Sequence, residues 1–441
     1  MLALWRNRWS RIAVCILLLT LLAWCGLRWW VGRLLIRAEE RTAAREWSAA
    51  RDSLRSYLQY SPRDSKALLM LAEAYIRDNR LNGSDKVNAA LEQLARIPDS
   101  DHRAAEARLQ EGRLYLLLLI QPGRAERAFL KAARLDSTRT ETQFLLWKLY
   151  DLTNRWDLAE PYVWQLHEQL PPREKAIRLR DWFLSEFSPG TANLELERRL
   201  GLLAESEFPD EKSEHRRLEA FVVMEPDWPT GHAILARWIY RQGNLEQAGH
   251  ELGLAEQLPG GAQDPLVIAT RVAICLELGE FDRALQAFHG WPAPHEGYEY
   301  WKTAGLIADQ VTRDFPQARD YYFQAIQTTA GKSDWLTQHR LVQCLTRLGE
   351  TDQAAKLRLH SKEVELLMEN TAQIQIRRAL SNVLSPDTIG RMVNLYQHLG
   401  REREVLAWKQ LTNGSEEANL VPVTDNLESV GRVKVVPAES K

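Results

Sequence analysis

Residues 125–136 read AERAFLKAARLD, a segment in which small and large side chains recur along one face of a helix. Ala125, Phe129 and Ala132 are separated by four and three residues, so an α-helix places them on the same side. The same pattern recurs late in the chain at Ala318, Tyr322 and Ala325. The segment therefore predicts a helix that packs closely against a neighbouring helix.

A second helical pattern precedes each of these segments. In residues 298–325, Trp301 is followed by small residues before the Ala-Tyr-Ala helix begins, and Gly112 and Tyr115 precede Ala125 in the same way. The pair of patterns repeats with a period near 34 residues, which is typical of stacked helix pairs. Four glycines fall between paired helices, where a residue with positive φ ends the first helix: Gly243, Gly279, Gly349 and Gly400.

These pairs resemble tetratricopeptide repeats, and the resemblance covers residues 45–411. It implies an all-α fold, an α-solenoid in which roughly nine to ten antiparallel helix pairs form a right-handed superhelix. It also implies a concave face that binds other proteins. Between residues 173 and 226 the glycine and alanine landmarks are missing, which leaves a degenerate repeat or a joint between two arrays open.

The N-terminal segment predicts a membrane anchor over residues 12–31. IAVCILLLTLLAWCGL, at 12–27, has no charge, and Trp9 and Trp29 flank it. The separation of 20 helical steps from Trp9 to Trp29 spans about 30 Å, which matches the hydrocarbon core of a bilayer. A cleaved signal peptide is the alternative, but the segment lacks small residues at a cleavage site.

The orientation of the anchor depends on two opposing features. Arginines after the segment outnumber those before it, which favours a cytoplasmic domain, whereas a short basic tail over residues 1–11 is costly to translocate. We expect a single-pass membrane protein whose soluble domain is extracytoplasmic. Helix 31–44 continues from the anchor and is the only available partner for the helix at 47–60, so the membrane helix should run directly into the first repeat.

Composition and motifs argue against nucleic-acid binding and give no pattern for catalysis. The 441 residues carry 57 basic and 59 acidic side chains, so no global charge attracts nucleic acid. The four cysteines have no disulfide or zinc spacing, and we expect no metal, no cofactor and no enzyme activity. Residues 330–333 (AGKS) end like a phosphate-binding loop, but Ile326 occupies the position of its first glycine. We expect an inter-repeat connection there.

The resemblance also indicates where a partner would bind, because the first helix of each repeat lines the concave face in this family. The side chains at the corresponding positions are mostly basic or amide and would suit an acidic peptide or a C-terminal carboxylate. These candidates are Arg237, Tyr240, Arg241, Lys302, His339, Arg340, Gln343, Arg347, Arg391 and Asn394. The alternative is that they are ordinary solvated residues.

The chain is therefore expected to contain an N-terminal repeat array over 32–172, a degenerate repeat or joint over 173–226, a C-terminal array over 227–411 and a disordered tail over 412–441. The predicted function is a membrane-tethered scaffold or adaptor for partner proteins or peptides. One alternative is an assembly or export factor for an envelope machine, such as secretion, polysaccharide export or cytochrome maturation. Another is an enzyme or substrate-recognition subunit.

Overall fold

The structure, a computed structural model, describes residues 2–412, with side chains except those of 2–16, 172, 189–190, 370–371 and 412. Within this range the chain is helical and contains no β-strand, which confirms the predicted all-α class. The predicted disordered tail lies outside the described residues, apart from residue 412. Residues 2–11 of the predicted N-terminal tail are helical.

The chain forms two compact units. The described part of the first unit comprises residues 2–118 and 127–138, and that of the second comprises 119–126 and 139–412. The predicted first array therefore contributes to both units, and residues 173–226 belong to the second.

The first unit consists of helix pairs, with one helix whose first residues are assigned to the second unit. Its helices are α1 (Leu2–Ala43), α2 (Trp47–Leu58), α3 (Ser65–Arg77), α4 (Gly83–Ala95), α5 (Ala104–Leu117) and the greater part of α6 (Pro122–Leu135).

The second unit continues the succession of helix pairs and adds shorter helices around the predicted joint. Its helices are α7 (Thr140–Leu152), α8 (Glu160–Gln169), α9 (Pro172–Phe187), α10 (Pro189–Ala192), α11 (Leu194–Arg199), α12 (Glu211–Met224), α13 (Pro229–Arg241), α14 (Leu245–Gln257), α15 (Pro265–Glu277), α16 (Phe281–His289), α17 (Tyr298–Ile307), α18 (Phe315–Gln327), α19 (Thr329–Ser333), α20 (Trp335–Arg347), α21 (Thr351–Met368), α22 (Asn370–Ala379), α23 (Pro386–His398) and α24 (Glu402–Thr412). Short 3-10 turns at Trp156–Ala159, Gly261–Gln263 and Leu380–Asn382, and a π-helical turn at Ala308–Thr312, extend or connect them.

Helix α1 joins the apolar segment to the first repeat without a break. Every side chain from residue 17 to residue 30 is exposed, whereas Ala38 is fully buried and Arg41 donates a hydrogen bond to the Ala49 carbonyl of α2 at 3.1 Å. Among the described residues, Leu17–Ala43 is the one stretch long and apolar enough to cross a membrane. A signal sequence shares this length and composition.

The helix pairs pack as the small and large residues of the sequence predict. A Cβ atom added to Gly305 of α17 would lie 2.5 Å from the Tyr322 ring of α18, and Gly112 faces Phe129 in the same manner. Because Tyr322 and Phe129 are fully buried, the missing Cβ is what admits each ring. This confirms the α-solenoid packing.

The glycines between paired helices also adopt the predicted backbone conformation. Their φ angles are 83° at Gly243, 73° at Gly279, 79° at Gly349 and 67° at Gly400. A residue with a side chain is strained in this region, so these glycines end the first helix of each pair at low cost.

The second unit brings its last helices against helices from its beginning. The guanidinium of Arg401, before α24, donates two hydrogen bonds of 2.7 Å to the carboxylate of Glu186 in α9. Trp182 of α9 donates to Glu404 at 3.3 Å, and the Arg401 guanidinium lies 5.7 Å from the Trp156 ring. We call Trp156, Trp182, Glu186, Arg401 and Glu404 the closure cluster. It joins segments 215 residues apart, so the second unit is a closed array.

The phosphate-loop-like segment at 330–333 is part of this closure. It forms α19, where the amide of Gly331 donates to the Thr328 hydroxyl at 3.1 Å and Lys332 donates to the Gly400 carbonyl at 2.8 Å. The hydroxyl of Thr329 donates to Glu160 at 2.7 Å. The segment therefore connects repeats, and its lysine is engaged by the backbone.

Candidate protein-binding face

The ten predicted binding residues all lie in the second unit, on the first helices of four helix pairs. They are Arg237, Tyr240 and Arg241 on α13, Lys302 on α17, His339, Arg340, Gln343 and Arg347 on α20, and Arg391 and Asn394 on α23.

A bidentate ion pair brings together the first helices of two of these pairs, α13 and α17. Arg237 of α13 donates to both carboxylate oxygens of Glu299 at the start of α17, at 2.7 and 3.0 Å. The pair spans the intervening repeat, whose first helix is α15, so the array curves with α13 and α17 on its concave side. We call the surface formed by α13, α17 and α20 the inner face.

Asp157 approaches this ion pair from a third part of the unit, the turn before α8. Burial raises the pKa of Asp157 to about 6, and the nearby Glu299 carboxylate contributes to the increase while Arg237 opposes it. Glu299 itself has a lowered pKa: burial would raise it, but the Arg237 charge outweighs that effect. Charges from three segments that are distant in sequence therefore influence one another here.

A second charged group links α17 to α20. The ammonium of Lys302 donates to the Asp334 carboxylate at 2.9 Å and to the Tyr298 hydroxyl at 3.0 Å, and Tyr298 also donates to Asp334. Burial alone would raise the pKa of Asp334, but Lys302 and the hydrogen bonds to the carboxylate lower it to about 2. The Asp334 side chain also caps α20 by accepting a hydrogen bond from the Thr337 amide at 3.2 Å. The same carboxylate therefore pairs with Lys302 and caps the start of the helix.

Other predicted cations also have carboxylate partners. Arg347 donates to Asp309 at 2.9 Å, Arg340 lies 4.0 Å from the same carboxylate, and Arg391 donates to Asp387 one turn away at 2.8 Å. These carboxylates come from adjoining segments that the repeat spacing does not single out. The inner face is therefore a mixed-charge surface rather than a row of free cations.

Four of the remaining candidates are exposed and make no side-chain contact of this kind. Arg241, His339, Gln343 and Asn394 are exposed, and none has an ion pair or hydrogen bond with its side chain in the described part of the chain. Partial desolvation and the neighbouring Arg237 charge lower the pKa of Arg241. An added carboxylate at Arg241 would therefore relieve a repulsion between two cations.

Tyr240 places α13 near the other inner-face helices. Burial raises its pKa, Glu277 of α15 adds to the increase, and the charges of Arg340 and Lys302 oppose it. Helices α13, α15, α17 and α20 thus share one electrostatic environment. No ion pair or hydrogen bond between described side chains joins Arg391 or Asn394 of α23 to this group.

A buried polar network around α7 and α9 was missed by the sequence analysis. Trp147 donates to the Ser185 hydroxyl at 3.0 Å, and that hydroxyl lies 2.8 Å from the fully buried carboxylate of Asp151. Burial raises the pKa of Asp151 to about 7, although Lys148 lies 3.5 Å away and opposes the increase. Ser185 is only 1% exposed, so the network lies in the packed interior of the second unit. Among the described residues, no group of three or more His, Cys, Asp and Glu side chains is arranged to hold a metal ion.

Comparison with known proteins gives structural likeness only. No family model matches the chain, and no curated protein matches it. Among solved structures, the APC/C hetero-tetramer Cut9-Hcn1 is 12% identical over 88% of this chain and 76% of that chain, with a TM-score of 0.37. The TPR domain of P58(IPK) is 14% identical over 88% and 99% of the two chains, with a TM-score of 0.26. Yeast Tom70 is 11% identical over 87% and 96%, with a TM-score of 0.32. At these TM-scores the fold rests on the helix packing itself, and no function is carried over.

Proposed function

We propose that this protein is a membrane-tethered scaffold that binds another protein or peptide on the inner face of the second unit. The observation that carries the proposal is the ion pair between Arg237 and Glu299. It joins α13 to α17 across the intervening repeat, as expected if the first helices of these repeats share one concave surface. Such a surface is extended and concave, and stacked repeats commonly use it for binding.

The partner group best suited to this surface is a carboxylate, from an acidic side chain or a chain terminus. Arg241 is exposed, has no carboxylate partner among residues 2–412, and lies one helical turn from Arg237. A carboxylate there would form charge-assisted hydrogen bonds with a guanidinium that is already partly desolvated. His339 and Gln343, which are exposed on α20, supply further donors for peptide carbonyl groups.

The tether is the apolar part of α1, with the anchor at 12–31 and the repeat domain on the extracytoplasmic side. Its support is the run of exposed apolar side chains that ends where α1 begins to pack on α2. A single helix that serves both as anchor and as part of the first repeat would hold the first unit close to the bilayer.

Crosslinking in native membranes tests this proposal. The full chain is crosslinked, purified and analysed by mass spectrometry, and the captured proteins are compared with those of the Arg241→Glu variant. Arg391→Glu is the matched control, because Arg391 is also an exposed arginine at a predicted binding position but lies on α23. We expect a small set of captured proteins that Arg241→Glu loses at least tenfold and Arg391→Glu retains. Equal capture by all three proteins would remove the inner face as the binding site.

The identity of the captured protein also separates the scaffold from an assembly or export factor. Components of one envelope machine would assign the chain to that machine, whereas unrelated membrane proteins would favour a general adaptor.

A further inference from the structure

The first unit contains a set of residues whose depth relative to a bilayer is fixed by α1. Side chains from residue 17 to residue 30 are all exposed, and partial burial begins at Val31. Trp29 and Trp30 stand at this change, 65% and 43% exposed. Tryptophan prefers the headgroup level of a membrane, so these two residues mark the level at which the anchor leaves the hydrocarbon.

Tyr60 lies at the same level as Trp30. The two rings are 5.5 Å apart in an edge-to-face arrangement, and Tyr60 is 50% exposed. Tyr60 follows the end of α2, whereas Arg41, more than two turns beyond Val31, contacts Ala49 near the start of α2. Helix α2 therefore runs back toward the membrane, and the connection between α2 and α3 reaches the headgroups.

The arginines on this side of the unit have no acidic partners. Arg33, Arg37 and Arg63 are exposed and form no ion pair among the described residues, and the Arg33 guanidinium lies 4.6 Å from the Trp29 ring. At 1.5 Å per residue, Arg33 and Arg37 lie about 5 and 10 Å beyond Trp30 along the helix. Arg33 is therefore within one Debye length of the headgroups at physiological salt, about 8 Å, and Arg37 lies near that limit.

The nearby acids do not cancel these charges. Asp64 accepts a hydrogen bond of 2.6 Å from Tyr57 and caps α3 through the Ala67 amide at 3.1 Å, and Glu39 is paired with Lys66. Glu40, which is exposed, lies about 15 Å beyond Trp30 and outside that range. The end of the unit near Trp30 is consequently positive and aromatic.

We propose that Tyr60 and Arg63, together with Arg33 and Arg37, form a lipid-binding edge that lies on the bilayer surface and binds anionic phospholipid headgroups. The inference rests on the proposed membrane tether. It adds that the first unit has a fixed face toward the membrane: guanidinium groups bind the phosphates, and Tyr60 packs beside Trp30 among the headgroups.

Photocrosslinking from single positions tests the lipid-binding edge. The full chain carrying Tyr60→benzoylphenylalanine is reconstituted in vesicles of phosphatidylcholine and phosphatidylglycerol in equal amounts, irradiated, and analysed for lipid adducts by mass spectrometry. We expect phosphatidylglycerol to be enriched about fivefold among the adducts, as one basic residue near an anionic surface predicts. In the Arg33→Gln/Arg37→Gln/Arg63→Gln variant the ratio should return to that of the vesicle.

Probes at two further positions separate failure of the lipid-binding edge from failure of the tether. Asn79→benzoylphenylalanine places the probe on the exposed connection at the opposite end of α3 and should give no lipid adduct. Leu22→benzoylphenylalanine places it within the apolar part of α1 and should give lipid adducts of both kinds. Adducts at 22 without adducts at 60 would overturn the lipid-binding edge and leave the tether intact. Absence of lipid adducts at both positions would overturn the tether as well. Adducts at 60 in the bulk lipid ratio, or adducts only to protein, would also refute the proposed binding of anionic lipid.

Discussion

Replacement of Arg401, a buried side chain of the closure cluster, should lower the stability of the second unit substantially. Arg401 and Glu186 are 1% and 5% exposed and share two hydrogen bonds of 2.7 Å. In the Arg401→Met variant, Glu186 would remain as a buried carboxylate without its cation. Removing one partner of a buried ion pair costs about 3 to 5 kcal/mol. We expect a decrease of that size in the free energy of unfolding of the second unit.

The matched control is an exposed ion pair of the same helix. Arg403 lies 3.3 Å from Glu168, but the two side chains are 55% and 72% exposed. Such pairs contribute at most about 1 kcal/mol, and the Arg403 guanidinium also lies 4.7 Å from the Trp164 ring, a contact worth about 0.5 to 1 kcal/mol, so Arg403→Ala should cost clearly less than Arg401→Met. Arg401 also lies 3.7 Å from the buried Glu404 carboxylate, so the double variant Arg401→Met/Glu186→Gln should recover part of the loss, because it removes one of the two unpaired charges.

Urea unfolding followed by circular dichroism gives the free energies, and amide hydrogen exchange locates the change. Exchange should accelerate first in α9 and α24, since the other repeats keep their neighbours. The reasoning would be refuted if Arg401→Met destabilised the unit no more than Arg403→Ala. It would also be refuted if Glu186→Gln failed to compensate.

Three further variants test protonation and packing in the second unit. Burial raises the pKa of Asp151 to about 7, compared with about 3.9 in the unfolded chain. Between about pH 3.9 and pH 7 the folded state therefore binds more protons than the unfolded state. The free energy of unfolding consequently falls as the pH rises through this range. Wild-type protein should therefore lose about 2 to 3 kcal/mol between pH 5 and pH 8 relative to Asp151→Asn, as measured by urea unfolding, and parallel pH profiles would contradict this. Gly305→Ala would place a Cβ atom 2.5 Å from the Tyr322 ring and should cost about 1 to 3 kcal/mol. Gly390→Ala is the control, because the added Cβ atom would lie in open space on a helix, and it should stabilise the protein by up to about 1 kcal/mol. Thermal unfolding measures both variants. Equal changes in the unfolding temperature of the two variants would rule out the packing argument.

The helix pairs could be predicted because their defining contacts are local. Gly305 and Tyr322 lie within one repeat, so spacing alone indicates that a small residue faces a ring. The positive φ at Gly243 follows equally from its place between two helical patterns.

The charged contacts of the second unit could not be predicted in this way. Arg237 meets Glu299 and Arg401 meets Glu186 only because small rotations accumulate from repeat to repeat, and no spacing rule gives their sum. Asp151 was missed for a different reason: its partner Ser185 lies in the stretch that lacks the repeat landmarks. The repeat spacing thus predicts which helices would carry a binding face, but it does not show which of their charges are already paired.

The most direct test of the central claim compares the inner face with the opposite side of the same unit. Gln343→benzoylphenylalanine places a photoreactive group on the inner face and keeps Arg241, and Leu359→benzoylphenylalanine places one at an exposed position on α21, the second helix of the same pair. Both full-length proteins are irradiated in their native membrane, and adducts are identified by mass spectrometry. We predict that position 343 crosslinks a specific protein and position 359 does not. Adducts to that protein from 359 alone, or no protein adduct from 343, would contradict a partner-binding inner face.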